Sequence, residues 1–224
     1  MQLGIPELEP GRFARHPLVY ILEAADDICY QIMDIEDAHK LRILSTDDVK
    51  GLFLGFFPDL RRGKMEKVSS LSDPNEQIAY LRSGVVGALV ENCAEAFMGH
   101  EDEILRGSFE GNLVGSLPDI LRDAYGACSD TAWNKIYCAP MVVDIELAGN
   151  RIVSFLMETL VEAVIHPDRN YSRLLFNVIP QQYDVCALRP YERIQSVLDH
   201  VSGMTDVYAL DLYRKLNGHS LPAV

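Results

Sequence analysis

Apolar residues recur at helical spacing along almost the whole chain. Between Arg15 and Arg42, at about 100° per residue, Leu18, Ile21, Leu22, Ala25, Ile28, Cys29, Ile32 and Ile35 share one broad side. Glu23, Asp26, Asp27, Tyr30, Asp34 and Asp37 crowd into an arc of roughly 100–120° on the other. Pro17 suits a first helical turn, and no glycine interrupts the residues that follow. The pattern predicts a long amphipathic helix with an acidic polar face.

Other elements follow from their caps. Residues 1–14, with Gly4, Pro6, Pro10 and Gly11, are expected to be an irregular lead-in. Ser45 with Asp48 three residues on reads as a capping box opening a helix from Thr46 to about Phe56. Phe57 to Ser72 reads as a loop, and Asp73-Pro74-Asn75-Glu76 starts a helix running to about Met98, with His100–Arg106 as a continuation after a break near Gly99. Ser116 is expected to cap a helix reaching about Ala127. Trp133 to Val143 fits a strand or a helix entry. Asp144 to Ile165 reads as a long buried helix, and Asp168 to Ile179 as another. Tyr191–Val201 and a final helix from Thr205 to about Leu216 complete the chain, with Gly218 ending the last. The expectation is an all-α fold, an irregular multi-helix bundle with little strand. It is read as a single helical domain over 1–224, divided into 1–14 lead-in, 15–42 acidic helix and 43–224 helical lobe.

Composition narrows the class. The chain has 224 residues, 48% of them hydrophobic, enough for one sizeable core. No apolar run is long enough to span a bilayer, and the N-terminus lacks the charged and apolar regions of a secretory signal, so no membrane role and a cytoplasmic setting are expected. The formal charge of −13 argues against a broad nucleic-acid interface. The short basic cluster Arg61-Arg62-Gly63-Lys64 reads as a surface loop. Cys29, Cys93, Cys128, Cys138 and Cys186 lack C-x-x-C spacing and read as buried reduced thiols.

The acidic face has two readings. A solvated helix surface is the ordinary one. Against it, carboxylates at i,i+4 such as Glu23 and Asp27 repel one another, which suggests a cation supplied from outside. Asp26, Tyr30 and Asp34 stand at i, i+4 and i+8, one row about 6 Å apart per step. Such a row suits a metal ion at one end and a hydroxylated ligand at the other. Asp27 is the alternative metal carboxylate, though it sits nearer the edge of the arc. Glu23, Glu36 and Asp37 read as structural partners of Arg15, Lys40, Arg42 or another helix.

Two segments carry a resemblance. HPLVYILEAADDICYQIMDIEDA and VLDHVSGMTDVYALDLYRKLNG resemble the deoxynucleoside triphosphate triphosphohydrolases (dGTPase-like enzymes) of the HD-domain superfamily. Ile145-Glu146-Leu147-Ala148-Gly149 resembles the same family more weakly. The likeness corresponds to the C-terminal half of the family's usual length. It implies an HD-type helical bundle lacking its HD-bearing N-terminal helices, and hydrolysis of a dNTP, dGTP first among them, to the deoxynucleoside and triphosphate. By resemblance Asp26 matches a metal carboxylate, Tyr30 a tyrosine packing beside the sugar, and Asp34 the carboxylate that accepts from the sugar 3′-hydroxyl. The implied cofactor is a divalent metal such as Mn²⁺ or Mg²⁺.

The departure from the family is also plain. No histidine in the chain is followed by aspartate, and one carboxylate does not make a first-row metal site. The expectation is therefore a chain inactive alone, whose partner is the missing HD-bearing half or another copy of itself. The alternative is a non-catalytic oligomerisation or regulatory module derived from the family. Gly203-Met204-Thr205-Asp206 reads as architectural, a close helix joint followed by a cap. Tyr208 and Tyr213 could face a nucleotide, core packing being the ordinary reading, and most of the six scattered histidines are expected to be surface or capping residues.

Overall fold

The computed structural model describes residues 5–219, apart from the side chains of Arg61 and Arg62, so that much of the basic cluster lies outside the described residues. The fold is 71% helical, as the spacing predicts, and is nearly devoid of sheet. Contacts divide the chain into two compact units, Met1–Ala139 and Pro140–Val224.

The first unit opens with a small antiparallel hairpin, β1 (Glu7–Glu9) and β2 (Arg12–Phe13), turned at Gly11 with φ +78°. This corrects the expected irregular lead-in. Helix α1 (Pro17–Lys40) follows, its N-terminus capped by the His16 ring, whose Nδ1 accepts from the Leu18 amide at 3.2 Å. It ends at Arg42, a non-glycine residue with φ +61°, where the Ile43 amide donates back to the Ala38 carbonyl at 2.8 Å. Helix α2 (Thr46–Gly55) begins in the expected capping box of Ser45 and Asp48. Helix α3 (Arg61–Ser69) occupies what reads in the sequence as a loop; among its described side chains Val68 alone is fully buried, so apolar periodicity does not reveal it.

Helix α4 (Pro74–Gly99) starts where Asp73 predicts, the carboxylate accepting from the Asn75 amide at 2.9 Å. Helix α5 (Glu101–Arg106) closes on Gly107, φ +73°, where an added Cβ would stand 2.5 Å from the Ala14 Cβ of the lead-in. Ser116 does not cap the next helix. It ends a 3₁₀ turn and bonds to Asn112, because Pro118 holds Leu117 extended and delays α6 to Asp119–Thr131. The ambiguous stretch after α6 is helical, a π-type turn over Ala132–Ile136. Ile28, Ile32 and Ile35 of α1, Phe53 of α2, Leu81, Val85 and Leu89 of α4 and Cys128 of α6 form one core. Each large aliphatic side chain buried there contributes roughly 1.5–3 kcal/mol.

The second unit is built on α7 (Pro140–Ile165) with α8 (Asn170–Phe176), α9 (Pro190–Ser202) and α10 (Asp206–Leu216). Leu160, Val164, Leu175 and Val197 centre its core. Only the second half of α7 is buried. Ile145 and Leu147 are exposed, which corrects the expectation of burial along its length. α8 is shorter than Asp168–Ile179. Thr205 caps α10 as expected, accepting from the Tyr208 amide at 3.3 Å. Gly203 has an ordinary φ of −85°; its value is closeness, since a Cβ there would meet the Asp199 carbonyl at 3.2 Å and the Tyr183 hydroxyl at 3.3 Å. Gly218, φ +72°, closes the helix, with the His219 amide donating to the Arg214 carbonyl at 2.8 Å.

Candidate functional site

The exposed side of α1 carries the candidate row. Asp26 and Tyr30 are exposed, Tyr30 by 66%, and Asp34 is half-buried. Successive members lie one helical turn apart, so Asp26 and Asp34 are separated by about 12 Å along the axis. Among the described residues no cationic side chain pairs with Asp26 or Asp34. The neighbouring acids are different. Glu23 pairs with Arg15, and that contact holds its carboxyl below the usual range. Glu36, buried, pairs with Arg82 of α4 at 2.7 Å and Lys40 at 3.2 Å, and Asp37 pairs with Lys40 at 3.0 Å. These three are structural, as their positions predict, while the row is left without counter-charge.

Asp27 turns inward from the row. Burial, then the Glu23 and Asp26 charges, push its carboxyl above the ordinary value. Its backbone carbonyl accepts from the Tyr125 hydroxyl at 3.1 Å, which fixes α6 against this part of α1. Ser129 donates to the Gln31 side chain at 2.8 Å, one turn further along.

One residue enters the site that sequence reasoning missed. The Tyr137 hydroxyl donates to Asp34 Oδ2 at 2.6 Å. The π-type turn before it brings the ring to α1, and Trp133 packs edge-on against it with centroids 6.2 Å apart. Burial, reinforced by the bond to Asp34, pushes the phenol up to about 12, so at neutral pH it is the donor and Asp34 the acceptor. A tyrosine 103 positions from its partner leaves no local spacing to read.

The structure does not gather a metal centre from this chain. Among the described residues no three His, Cys, Asp or Glu side chains come together as a potential metal group. Among the described residues the donors near Asp26 do not reach the number that a first-row divalent ion takes. The histidines are used elsewhere: His100 Nδ1 lies 3.1 Å from Glu103, His39 Nε2 3.0 Å from Thr46, and His166 pairs with Glu162. His200 is an exception to the surface or capping role expected of most, being buried beside Tyr183 and Tyr208, and burial lowers its basicity. Tyr213 packs edge-on against Phe155, while Tyr208 is exposed. Of the five thiols only Cys93 and Cys128 are buried; Cys29, Cys138 and Cys186 are exposed, which corrects the expectation for those three. Among the described residues no helix is long and apolar enough to cross a membrane.

Comparison with known proteins bears on this geometry. Residues 117–215 match the family described as the phosphohydrolase-associated domain, which includes Tyr137 and the Gly203–Asp206 joint. A deoxyguanosinetriphosphate triphosphohydrolase-like protein of Pseudomonas aeruginosa is 27% identical over 99% of this chain and 51% of its own length. The like-named protein of Listeria monocytogenes is 31% identical over 92% of this chain and 50% of its own. A deoxyguanosinetriphosphate triphosphohydrolase of Yersinia enterocolitica is 28% identical over 94% and 50%. The chain thus spans about half the length of the curated relatives it matches.

Proposed function

We propose, for a chain similar along nearly its whole length to dGTP triphosphohydrolase-like proteins, that it is one part of a metal-dependent dNTP triphosphohydrolase. The reaction is dNTP plus water to deoxynucleoside and triphosphate, with dGTP the first substrate to test. This chain supplies Asp26 as one metal carboxylate and Tyr30 and Asp34 as the sugar-contacting groups. The remaining metal ligands come from outside it, and the chain alone is inactive.

The observation that supports this most is the hydrogen bond between Tyr137 and Asp34. It occupies Oδ2 and fixes the carboxylate plane, leaving Oδ1 to accept from a hydroxyl brought to the exposed row. A solvated helix face has no need of a half-buried phenol to orient one of its acids. The exposure of the Tyr30 ring, one turn away, supports a role for it beside the sugar whose hydroxyl Asp34 would accept. Asp26 stands a further turn on, on the side where the phosphates of such a substrate would extend.

The test is triphosphate release from each dNTP with Mn²⁺ or Mg²⁺, by this chain alone and with the half of a relative that it does not match. Activity confined to the combination and abolished by Asp26→Ala is the expected result. Activity from the chain alone overturns the division of the site, and silence in both favours the regulatory module.

A further inference from the structure

The first half of α7 is an apolar helix without a buried side. Every residue from 141 to 153 is exposed or half-buried, with Ile145 (71%), Leu147 (66%) and Met141 (45%) among the open ones. The apolar positions are nonetheless ordered. Met141, Ile145, Ala148 and Ile152 follow one another at steps of four, three and four, the spacing of a coiled-coil seam. With Ile145 as position a and Ala148 as d, Asp144 and Arg151 both fall at g, seven residues apart on one flank. Both are exposed and, among the described residues, neither has an ionic partner. Gly149, at e, is a third mark. Glycine inside a helix weakens it, yet a Cβ here would meet nothing within 4 Å, so packing within one chain does not require it.

We propose that this half of α7 pairs with the same half-helix of a second copy, antiparallel, about a two-fold axis. The residues themselves set the register. Placing Ile145 against Ala148 of the second copy also places Met141 against Ile152, and the two-fold repeats both pairs, giving four apolar layers. On the g flank Asp144 then lies opposite Arg151 of the second copy, twice. On the e flank Val142 lies opposite Gly149, whose missing Cβ leaves room for the valine. A slip by one heptad sets Asp144 against Asp144 or Arg151 against Arg151. A parallel pair sets Asp144 against Gly149 and leaves both charges unmet. Charge therefore selects one orientation and one register, and an unrelated helix has no reason to match opposite charges seven residues apart on this one. The seam shares no residue with the row Asp26, Tyr30 and Asp34, so it stands whether or not the hydrolase reading does.

Sedimentation velocity on the full chain reads the pairing, under reducing conditions because Cys29, Cys138 and Cys186 are exposed. Four layers make a small interface, so the dimer should form at micromolar concentration. Ile145→Glu should abolish it. Leu147→Glu, at a similarly open position off the seam, should leave it unchanged. The decisive variants reverse charge. Asp144→Arg or Arg151→Asp alone turns two attractions into two repulsions and should weaken association about tenfold. The two together rebuild both pairs with the signs exchanged and should restore the parental affinity, a rescue that a folding defect cannot imitate. A chain that stays monomeric throughout the micromolar range overturns the proposal and leaves this face to the unmatched half of the relatives' length. So does a dimer indifferent to the single reversals, one that the double reversal fails to restore, or one that Leu147→Glu disrupts as fully as Ile145→Glu.

Discussion

Replacing Tyr137 with Phe removes one hydroxyl and leaves the ring that Trp133 packs against. The lost bond is short, 2.6 Å, and ends on a carboxylate. Hydrogen bonds to charged groups contribute about 1.5–3 kcal/mol. Asp34 is half-buried, so water recovers part of the loss, and the cost should fall near the low end, about 1–1.5 kcal/mol. With a denaturant dependence of about 2 kcal/mol per molar urea, the midpoint should drop by roughly 0.5–0.75 M. Urea titrations followed by far-UV circular dichroism, on the parent, Tyr137→Phe, Asp34→Asn and the double variant, isolate the pair. The expected coupling is about 1 kcal/mol. A coupling within about 0.3 kcal/mol of zero would show that the two side chains act independently, and the oriented carboxylate at the centre of the proposed site would go with it.

Further outcomes follow from local features. Arg42→Gly should stabilise the chain by about 0.5–1 kcal/mol, read as a higher urea midpoint, because the α1 terminus holds a side-chain-bearing residue at φ +61°. Asp27→Asn should raise the thermal midpoint slightly, worth about 0.2–0.5 kcal/mol from relief of the Glu23 repulsion; a lower midpoint would mean the carboxylate is structurally required. At alkaline pH, Cys93, Cys128 and Tyr137 are raised to about 11, 12 and 12 from ordinary values of 9.0, 9.0 and 10.0. The unfolded chain loses these protons first, so their contribution is complete below about pH 9 and declines as pH rises towards 12. Urea midpoints measured under reducing conditions should therefore hold from pH 8 to about 9 and fall from there to 11, and a flat profile across that upper range would contradict the burial of these groups.

The sequence revealed α1 and α9 through their apolar period alone, and α2, α4 and α10 because a polar cap marks where each begins. Ser45, Asp73 and Thr205 are such caps, and all three accept the amides expected of them. It hid α3, whose nine residues are mostly polar and include a glycine, and whose formation depends on burying Val68. Ser116 misled because the neighbouring Leu117-Pro118 blocks the backbone one step later. Along α1 the apolar arc is wider than the neighbouring helices of the first unit cover, so Leu18 and Leu22, which share its apolar side, are exposed. The row Asp26, Tyr30 and Asp34 was legible through helical spacing and motif resemblance. Tyr137 was not, since its contact to Asp34 is created by tertiary folding across 103 positions.

The meeting of Gly107 with Ala14 has a consequence for how this protein can change over generations. Two separate barriers guard position 107: a left-handed backbone, and a Cβ that would lie 2.5 Å from that of Ala14. Trimming Ala14 to glycine would lift the second barrier and leave the first. A lineage drifting at the end of α5 therefore meets the barriers in succession: residue 14 must first give up its Cβ, and any side chain at 107 must then still bear the left-handed backbone.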